Sequence, residues 1–302
     1  MRNAPVLTEA ETAHETKNWR FADAAPFIAS IAITGGLLVL LYHQILPALV
    51  DEWIQNPNYS HGFVLPFFSA WIIWQRRESL RSIVPAPANS GIVVVAGGLG
   101  ILILGVFGAE LFLSRTSLLF LIAGVIIYFA GWKIFRELLL PWGLLFLAIP
   151  LPAIIFNQIS MPLQFGASRM ASGLLSFVGL PVLREGNIIV LSTITLDVAE
   201  ACSGLRSLMA LIALAAIYGC IFERKIWKRW VLVIAAIPIA IVANAIRIMG
   251  TGLLGVYWGP QGAEGFFHLF SGMVIFLCSL LLLFGVHAAL KLFGKQRRVP
   301  AS

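Results

Sequence analysis

The chain has 302 residues, of which 59% are hydrophobic and only 12% are charged, and its formal net charge is +7. With a mean hydropathy of +0.91, this composition excludes an ordinary soluble globular protein and predicts an all-α polytopic membrane protein. The net charge is interpreted as a topology signal, because no basic patch interleaved with aromatic residues indicates a nucleic-acid partner.

The polar N-terminal stretch, residues 1–24, is predicted to be a cytoplasmic tail. It is longer than the charged start of a secretory signal peptide, and the apolar run that follows has full spanning length. No cleavage is therefore expected.

Apolar runs long enough to cross a bilayer, or nearly so, predict about eight transmembrane helices, since the hydrocarbon core requires about 20 residues per helix. The runs cover residues 25–49, 60–75, 90–108, 115–132, 137–151, 203–222, 229–252 and 266–290. The fifth run carries Pro141, Pro150 and Pro152 and is predicted to be short and kinked. Together the runs form one transmembrane catalytic domain over residues 25–292, and residues 293–302 form a second cytoplasmic tail.

The stretch 153–201 differs from the spans and is predicted to lie at the outer face. In its first part, polar side chains punctuate the apolar positions, which favours an interfacial helix over 153–181. The polar residues are Asn157, Gln158, Gln164, Ser168 and Arg169. In its second part, residues 188–198 alternate with a period of two and are rich in β-branched residues, which predicts a strand or a short hairpin.

Basic residues set the predicted orientation. With the N-terminus inside and eight spans, 16 of the 21 Lys and Arg residues fall on the inner side and five on the outer side. The positive-inside rule therefore favours cytoplasmic termini. The same path brings His61, Cys202, Arg247 and His268 to the outer surface.

Cys202 is the candidate nucleophile. It lies at the start of the sixth predicted span, and neither Cys220 nor Cys278, both inside apolar runs, shows a paired spacing with it. A disulfide framework and a zinc site are therefore not indicated. A cysteine attacks as the thiolate, and a helix N-terminus or a nearby cation lowers its pKa.

Arg247 and His268 are the candidate partners of Cys202. His268 would accept the thiol proton and later protonate a leaving amine. Arg247 does not deprotonate in proteins, so it suits an oxyanion or a substrate carbonyl. Asn244 shares its helix face and would orient it. Arg206, one turn after Cys202, would contribute positive potential or anchor a substrate.

Each of these residues also has a purely structural interpretation. Cys202 alone would be a small buried residue, Arg247 a snorkelling side chain, and His268 an interfacial histidine. His61 is expected to support the fold or a substrate groove. Glu200 is expected to balance charge beside an arginine.

Two other chemistries are less well supported. Ser203 adjoins Cys202, but no G-x-S-x-G elbow indicates a serine nucleophile. A metal bound by Cys202, His61 and His268 lacks an HExxH-type pair, and Arg247 would repel a cation. We therefore expect neither a metal nor a cofactor.

Four short segments together resemble the exosortase family of bacterial membrane transpeptidases. They are SHGF at 60–63, EACSGL at 200–205, NAIRI at 244–248 and FHLFSG at 267–272. Each is weak by itself, but their order and shared predicted surface are specific. The similarity extends over about residues 25–290.

The resemblance implies a function. Cys202, Arg247 and His268 match the family's catalytic cysteine, arginine and histidine, and His61, Glu200, Ser203, Arg206 and Asn244 would support them or the substrate. The substrates would be exported proteins that end in a Pro-Glu-Pro-type signal, a transmembrane helix and a basic tail. The enzyme would lie in the bacterial inner membrane, with its site on the periplasmic face, and would transfer the cleaved protein to an unknown surface acceptor. Some relatives carry a C-terminal domain linked to exopolysaccharide production, and no such domain is expected here.

Two function classes compete with this interpretation. A transporter would use Glu200, Arg206 and Arg247 along a substrate path, although transporters usually show internal repeats and ionisable residues near the midplane. A polysaccharide-assembly or acyltransferase enzyme would use a histidine base and no thiol.

Overall fold

The computed structural model describes residues 21–198, 204–259 and 266–295, with side chains for 29–198, 206–259 and 272–292. The chain divides into two compact units, one ending at Gln44 and the other beginning at Ile45. The first contains a single described helix, and the sites and networks described below belong to the second.

The described structure is mostly helical. The helices are α1 Phe21–Tyr42, α2 Ile45–Gln55, α3 Val64–Gln75, α4 Arg77–Ser82, α5 Ser90–Phe107, α6 Leu111–Ala130, α7 Trp132–Leu145, α8 Ala153–Phe177, α9 Gly204–Phe222, α10 Ile226–Trp258 and α11 Phe266–Lys295. Short 3₁₀ turns at Ser60–Phe63 and Phe146–Ala148 precede α3 and follow α7.

The helices support a polytopic membrane protein. Within the described residues, α5, α6, α10 and residues Gly272–Leu292 of α11 are long and apolar enough to cross a membrane. Two bent helix pairs would raise the number to six if each pair forms one span. The run at 60–75 folds as a 3₁₀ turn and the 12-residue α3, which is shorter than the about 20 residues that a straight span requires. The expectation of eight spans stays a prediction.

The chain bends sharply between α7 and α8. The axes of Trp132–Ala148 and Ala153–Phe177 differ by 83°. Ile149 is extended, with φ −88° and ψ 121°, because a following proline disfavours helical backbone at the residue before it. Pro152 begins α8 from an extended conformation. Such a bend agrees with an α8 that leaves the direction of the spans, as expected of an interfacial helix.

Helices α5 and α6 pack closely through glycines. A Cβ atom on Gly91 would stand 2.5 Å from the backbone nitrogen of Tyr128, and one on Gly105 would stand 2.5 Å from that of Ser114. Small residues at such positions let membrane helices approach each other. The two helices therefore form a rigid hairpin.

A three-stranded antiparallel sheet follows α8. Its strands are β1 Leu183–Glu185, β2 Ile188–Val190 and β3 Thr195–Asp197, in the order β1-β2-β3. The hairpin predicted within 188–198 is confirmed as β2 and β3, and β1 adds a third strand. The buried sheet residues Ile189 and Leu196 pack with Leu175 of α8 and Ile248 of α10.

A buried polar network joins α9, α10 and α11 at the end where α9 meets α10. His287 Nε2 lies 2.9 Å from Glu223 Oε1, and Lys228 Nζ lies 3.6 Å from the same oxygen. Tyr218 Oη lies 2.5 Å from His287 Nδ1. Glu223, Lys228 and His287 are each at least nine-tenths buried. His287 thus links three helices.

Candidate active site

Helix α10 carries Arg247 away from the basic end of the helix. The helix has 33 residues, so it is about 50 Å long and exceeds a hydrocarbon core of about 30 Å. Counted from Arg229, a span of about 20 residues ends close to Arg247. The remaining turns extend past the core, and there they pack against the sheet and α8.

Arg247 is buried. Only 5% of its surface is exposed, and its neighbours Ala245 and Ile248 belong to the core formed with α8 and the sheet. Asn244, one turn earlier, is 8% exposed. A guanidinium enclosed in this way requires compensating polar groups or a functional reason. Both side chains are thus enclosed, and the orientation of Arg247 by Asn244 stays a prediction.

The guanidinium of Arg247 faces α11 at Gly272. A Cβ atom built on Gly272 would stand 3.7 Å from Cζ, 3.8 Å from Nη1 and 3.9 Å from Nη2 of Arg247. His268 lies one helical turn before Gly272 on the same helix. The structure therefore brings Arg247 next to the turn of α11 that includes His268.

Cys202, Glu200 and Ser203 lie outside the described residues, so their predicted roles stay predictions. The structure does describe the strand that leads to them. β3 ends at Asp197, and Leu196 and Val198 anchor it in the same core as Ala245 and Ile248. β3 and Val198 are therefore packed against the helix of Arg247.

Arg206 is exposed on α9. It thus differs from Arg247, which is enclosed, and its predicted role beside Cys202 stays a prediction. Within the described part of the chain, no group of three or more His, Cys, Asp or Glu residues is arranged to hold a metal ion.

His61 links the 3₁₀ turn before α3 to the bend after α7. Its Nε2 atom lies 3.2 Å from the carbonyl oxygen of Leu147. Burial lowers the pKa of His61, although hydrogen bonds with the Leu147 and Asn58 backbone oppose the shift. Gly62 is required here because a Cβ atom would overlap the indole ring of Trp53. These contacts agree with the expected supporting role of His61.

A polar cavity beside this turn was not foreseen from the sequence. It has a volume of about 340 Å³ and is lined by residues of α2, α6, α8 and the segments between them. Arg115, with a side chain only 3% exposed, forms a 2.6 Å ion pair with Glu52 across it. Two charges so far apart in the sequence give no local pattern, and only the tertiary structure reveals the pair.

Comparison with known proteins supports one family. The family model for the transmembrane exosortases matches residues 53–285, a range that includes the four segments noted in the sequence. No curated protein and no solved structure matches the chain. Because the match covers most of the chain, the protein belongs to the transmembrane exosortase family.

Proposed function

We propose that the protein is a membrane-embedded cysteine protease and transpeptidase that cleaves C-terminal sorting signals of exported proteins. The observation that carries this proposal is the enclosure of Arg247 against the turn of α11 that includes His268. Membership of the exosortase family supplies the reaction class. The three catalytic residues are Cys202, Arg247 and His268.

Cys202 is the nucleophile. Its thiolate attacks the scissile carbonyl carbon and forms a carbon–sulfur bond, and the carbonyl oxygen becomes an oxyanion. Arg247 stabilises this oxyanion, since a fixed cation in a site sheltered from water acts more strongly than one in bulk solvent. The packing of Arg247 between α11 and the sheet supports a fixed position for the guanidinium.

His268 transfers the proton. It takes the proton of the Cys202 thiol and then donates it to the departing amine as the carbon–nitrogen bond breaks. The product is a thioester on Cys202. The acceptor nucleophile, or water, attacks this thioester and regenerates the thiol.

The substrate carries a Pro-Glu-Pro-type signal, a hydrophobic helix and a basic tail. Its helix docks against the spans in the bilayer, and the peptide just outside the membrane reaches Cys202. The site opens at the periplasmic face of the inner membrane, with both termini in the cytoplasm. The 16-to-5 division of basic residues supports this orientation.

The proposal is tested by following a tagged exported protein with such a C-terminus in cells. Cys202→Ala and Arg247→Ala should abolish processing, whereas Arg81→Ala serves as the matched arginine control because Arg81 is exposed and has no predicted role in the site. Each variant is quantified in the membrane, so that loss of activity is separated from loss of protein. Normal processing by Cys202→Ala or Arg247→Ala would overturn the mechanism.

A second experiment tests the reactivity and side of the thiol. A variant with Cys220→Ala and Cys278→Ala retains Cys202 alone, and it is labelled with a membrane-impermeant and a membrane-permeant maleimide. Labelling by the impermeant reagent from the periplasmic side supports the proposal. A thiol that is inert to both reagents contradicts it.

A further inference from the structure

The hydrogen bonds between β2 and β3 determine which backbone groups of β3 face outward. Leu191 N donates to Ile194 O at 2.9 Å, and Val198 N donates to Asn187 O at 3.0 Å. Residue pairs of an antiparallel ladder alternate between hydrogen-bonded and non-hydrogen-bonded. Thr195, which is opposite Val190, is therefore a non-hydrogen-bonded position, and its N–H and C=O point away from β2.

β3 lies at an edge of the sheet. Among the described strands it has a neighbour on one side only, because the strand order is β1-β2-β3. Thr195 is also exposed at its side chain. The backbone donor and acceptor of Thr195 thus lie on an edge that no described strand covers, and such an edge is the usual template for pairing with another polypeptide.

The opposite edge of the sheet is different. β1 presents two exposed charged residues, Arg184 and Glu185, and the Arg184 guanidinium bonds to Gly186 O at 2.8 Å. Charged side chains on an edge strand discourage strand addition. β3 carries one charged residue, Asp197, whose Oδ1 accepts a hydrogen bond from Asn187 Nδ2 at 3.3 Å. The edge of β3 therefore has fewer charges than that of β1, and it belongs to the strand that leads to Cys202.

β3 is also rigidly connected to Arg247. Its inward residue Leu196 packs in one core with Ala245 and Ile248, the neighbours of Arg247 on α10. A peptide aligned along β3 would thus be aligned relative to the guanidinium. Alignment of this kind favours attack on a peptide carbonyl, because a misplacement of about 1 Å costs much of the rate.

We propose that the substrate binds as an additional strand at Thr195, on the edge of β3 that faces away from β2. The occupant is the extended segment of the exported polypeptide just before its hydrophobic helix, and its backbone pairs with the outward N–H and C=O of Thr195. This inference rests on the proposed function. Main-chain pairing holds the segment regardless of most of its side chains, and the pockets that alternate side chains enter supply selectivity.

Disulfide cross-linking tests strand addition through its period of two. The full-length enzyme carries Cys202→Ala, Cys220→Ala, Cys278→Ala and Thr195→Cys. The probe is a tagged exported protein with a Pro-Glu-Pro signal, a hydrophobic helix and a basic tail, and a single cysteine is moved through the signal one residue at a time. We expect cross-links at alternate substrate positions, because successive side chains of a strand point to opposite faces.

The matched control places the cysteine at the other edge, through Arg184→Cys in the same background. It should give no alternating pattern. The inference is overturned by cross-links of equal yield at consecutive positions, by the same pattern from Arg184→Cys, or by no cross-link from Thr195→Cys.

A kinetic experiment tests the backbone hydrogen bond. Thr195→Pro removes an outward N–H without removing a donor from the β2–β3 ladder, and Arg184→Pro makes the same kind of change at the β1 edge, where Arg184 is opposite Ile189. We expect Thr195→Pro to raise KM about tenfold with little change in kcat, as suits the loss of one hydrogen bond. A normal KM, or an equal effect of Arg184→Pro, contradicts strand addition.

The two levels of the proposal fail in distinguishable ways. If the wild-type enzyme processes the probe and Cys202→Ala does not, but neither the alternation nor the KM effect is found, only the binding mode is wrong. If the wild-type enzyme and Cys202→Ala treat the probe alike, the proposed function is wrong as well.

Discussion

The guanidinium of Arg247 lies against Gly272, so that a Cβ atom on Gly272 would stand 3.7 Å from its central carbon. This distance is an ordinary van der Waals contact. The absence of a side chain at Gly272 thus leaves the face of the guanidinium beside the turn of α11 that includes His268. A longer side chain at this position would occupy that space.

The size of the side chain at position 272 should control activity. Gly272→Ala fits the available distance and should retain processing within a few-fold. Gly272→Leu should displace the guanidinium and reduce processing about 100-fold, the usual cost of losing one oxyanion partner. The rate of processing of the tagged substrate per amount of folded enzyme measures the effect.

Gly285→Leu is the matched control for this series. Gly285 lies on the same helix, and nothing lies within 4 Å of a Cβ atom built there. The same substitution should therefore leave activity unchanged. Equal activity of Gly272→Leu and Gly285→Leu would exclude a role for the space beside Arg247.

Much of the fold follows from hydrophobic length and period. The apolar runs of α5, α6 and α10 predict helices that the structure contains, and the alternation in 188–198 predicts β2 and β3. The break after α7 was indicated by Pro150 and Pro152. Its 83° angle was not, because residue patterns fix where a helix ends but not the direction in which the next one leaves.

Less of the candidate site than of the fold can be predicted from the sequence. The position of Arg247 near one end of a span follows from counting residues, but its contact with Gly272 depends on how α10 and α11 cross. The Arg115–Glu52 pair likewise joins residues separated by several elements. Neither the contact between Gly272 and Arg247 nor the Arg115–Glu52 pair produces a periodic pattern in the sequence, so only the tertiary structure reveals them.

His61 should make stability depend on pH. Burial holds its pKa below the usual value, so between about pH 6.5 and the lower folded value the unfolded chain binds a proton that the folded chain does not. The stability contributed by neutral His61 is therefore complete above about pH 6.5 and decreases as the pH falls through this window.

Melting temperatures of the detergent-solubilised protein, measured from pH 7.5 to pH 5, test this effect because the interval includes the ordinary histidine pKa of about 6.5. His61→Gln keeps a donor for the Leu147 carbonyl but does not titrate, so its melting temperature should fall less on acidification. The exposed His43 provides the control through His43→Gln. An identical acid slope for wild type and His61→Gln would contradict the prediction.

The buried carboxylate of Glu223 should stabilise the junction of α9, α10 and α11. Glu223→Gln removes the charge that faces both His287 and Lys228. Removing one partner of a buried ion pair costs about 3 kcal/mol, because the remaining charge stays enclosed. Thermal unfolding in detergent should show this loss.

The exposed Glu78, whose side chain is 86% exposed, offers a matched control. Glu78→Gln should change the free energy of unfolding by less than about 0.5 kcal/mol. Glu223→Gln combined with Lys228→Met should recover part of the lost stability, since no unpaired ammonium then remains. Equal stability of Glu223→Gln and Glu78→Gln would show that the network contributes nothing.

The contact between α5 and α6 should tolerate no added methyl group at Gly105. A Cβ atom there would stand 2.5 Å from both the backbone nitrogen and Oγ of Ser114, so the helices must separate in Gly105→Ala. Overpacking of this kind costs about 1–3 kcal/mol.

Gly97 on the same helix provides the control, because nothing lies within 4 Å of its Cβ position. Gly97→Ala should be neutral or stabilising by up to about 1 kcal/mol, because alanine favours a helix over glycine. Unfolding of the two variants in the same detergent compares them directly, and a Gly105→Ala protein as stable as Gly97→Ala would show that α5 and α6 are not held at the distance described.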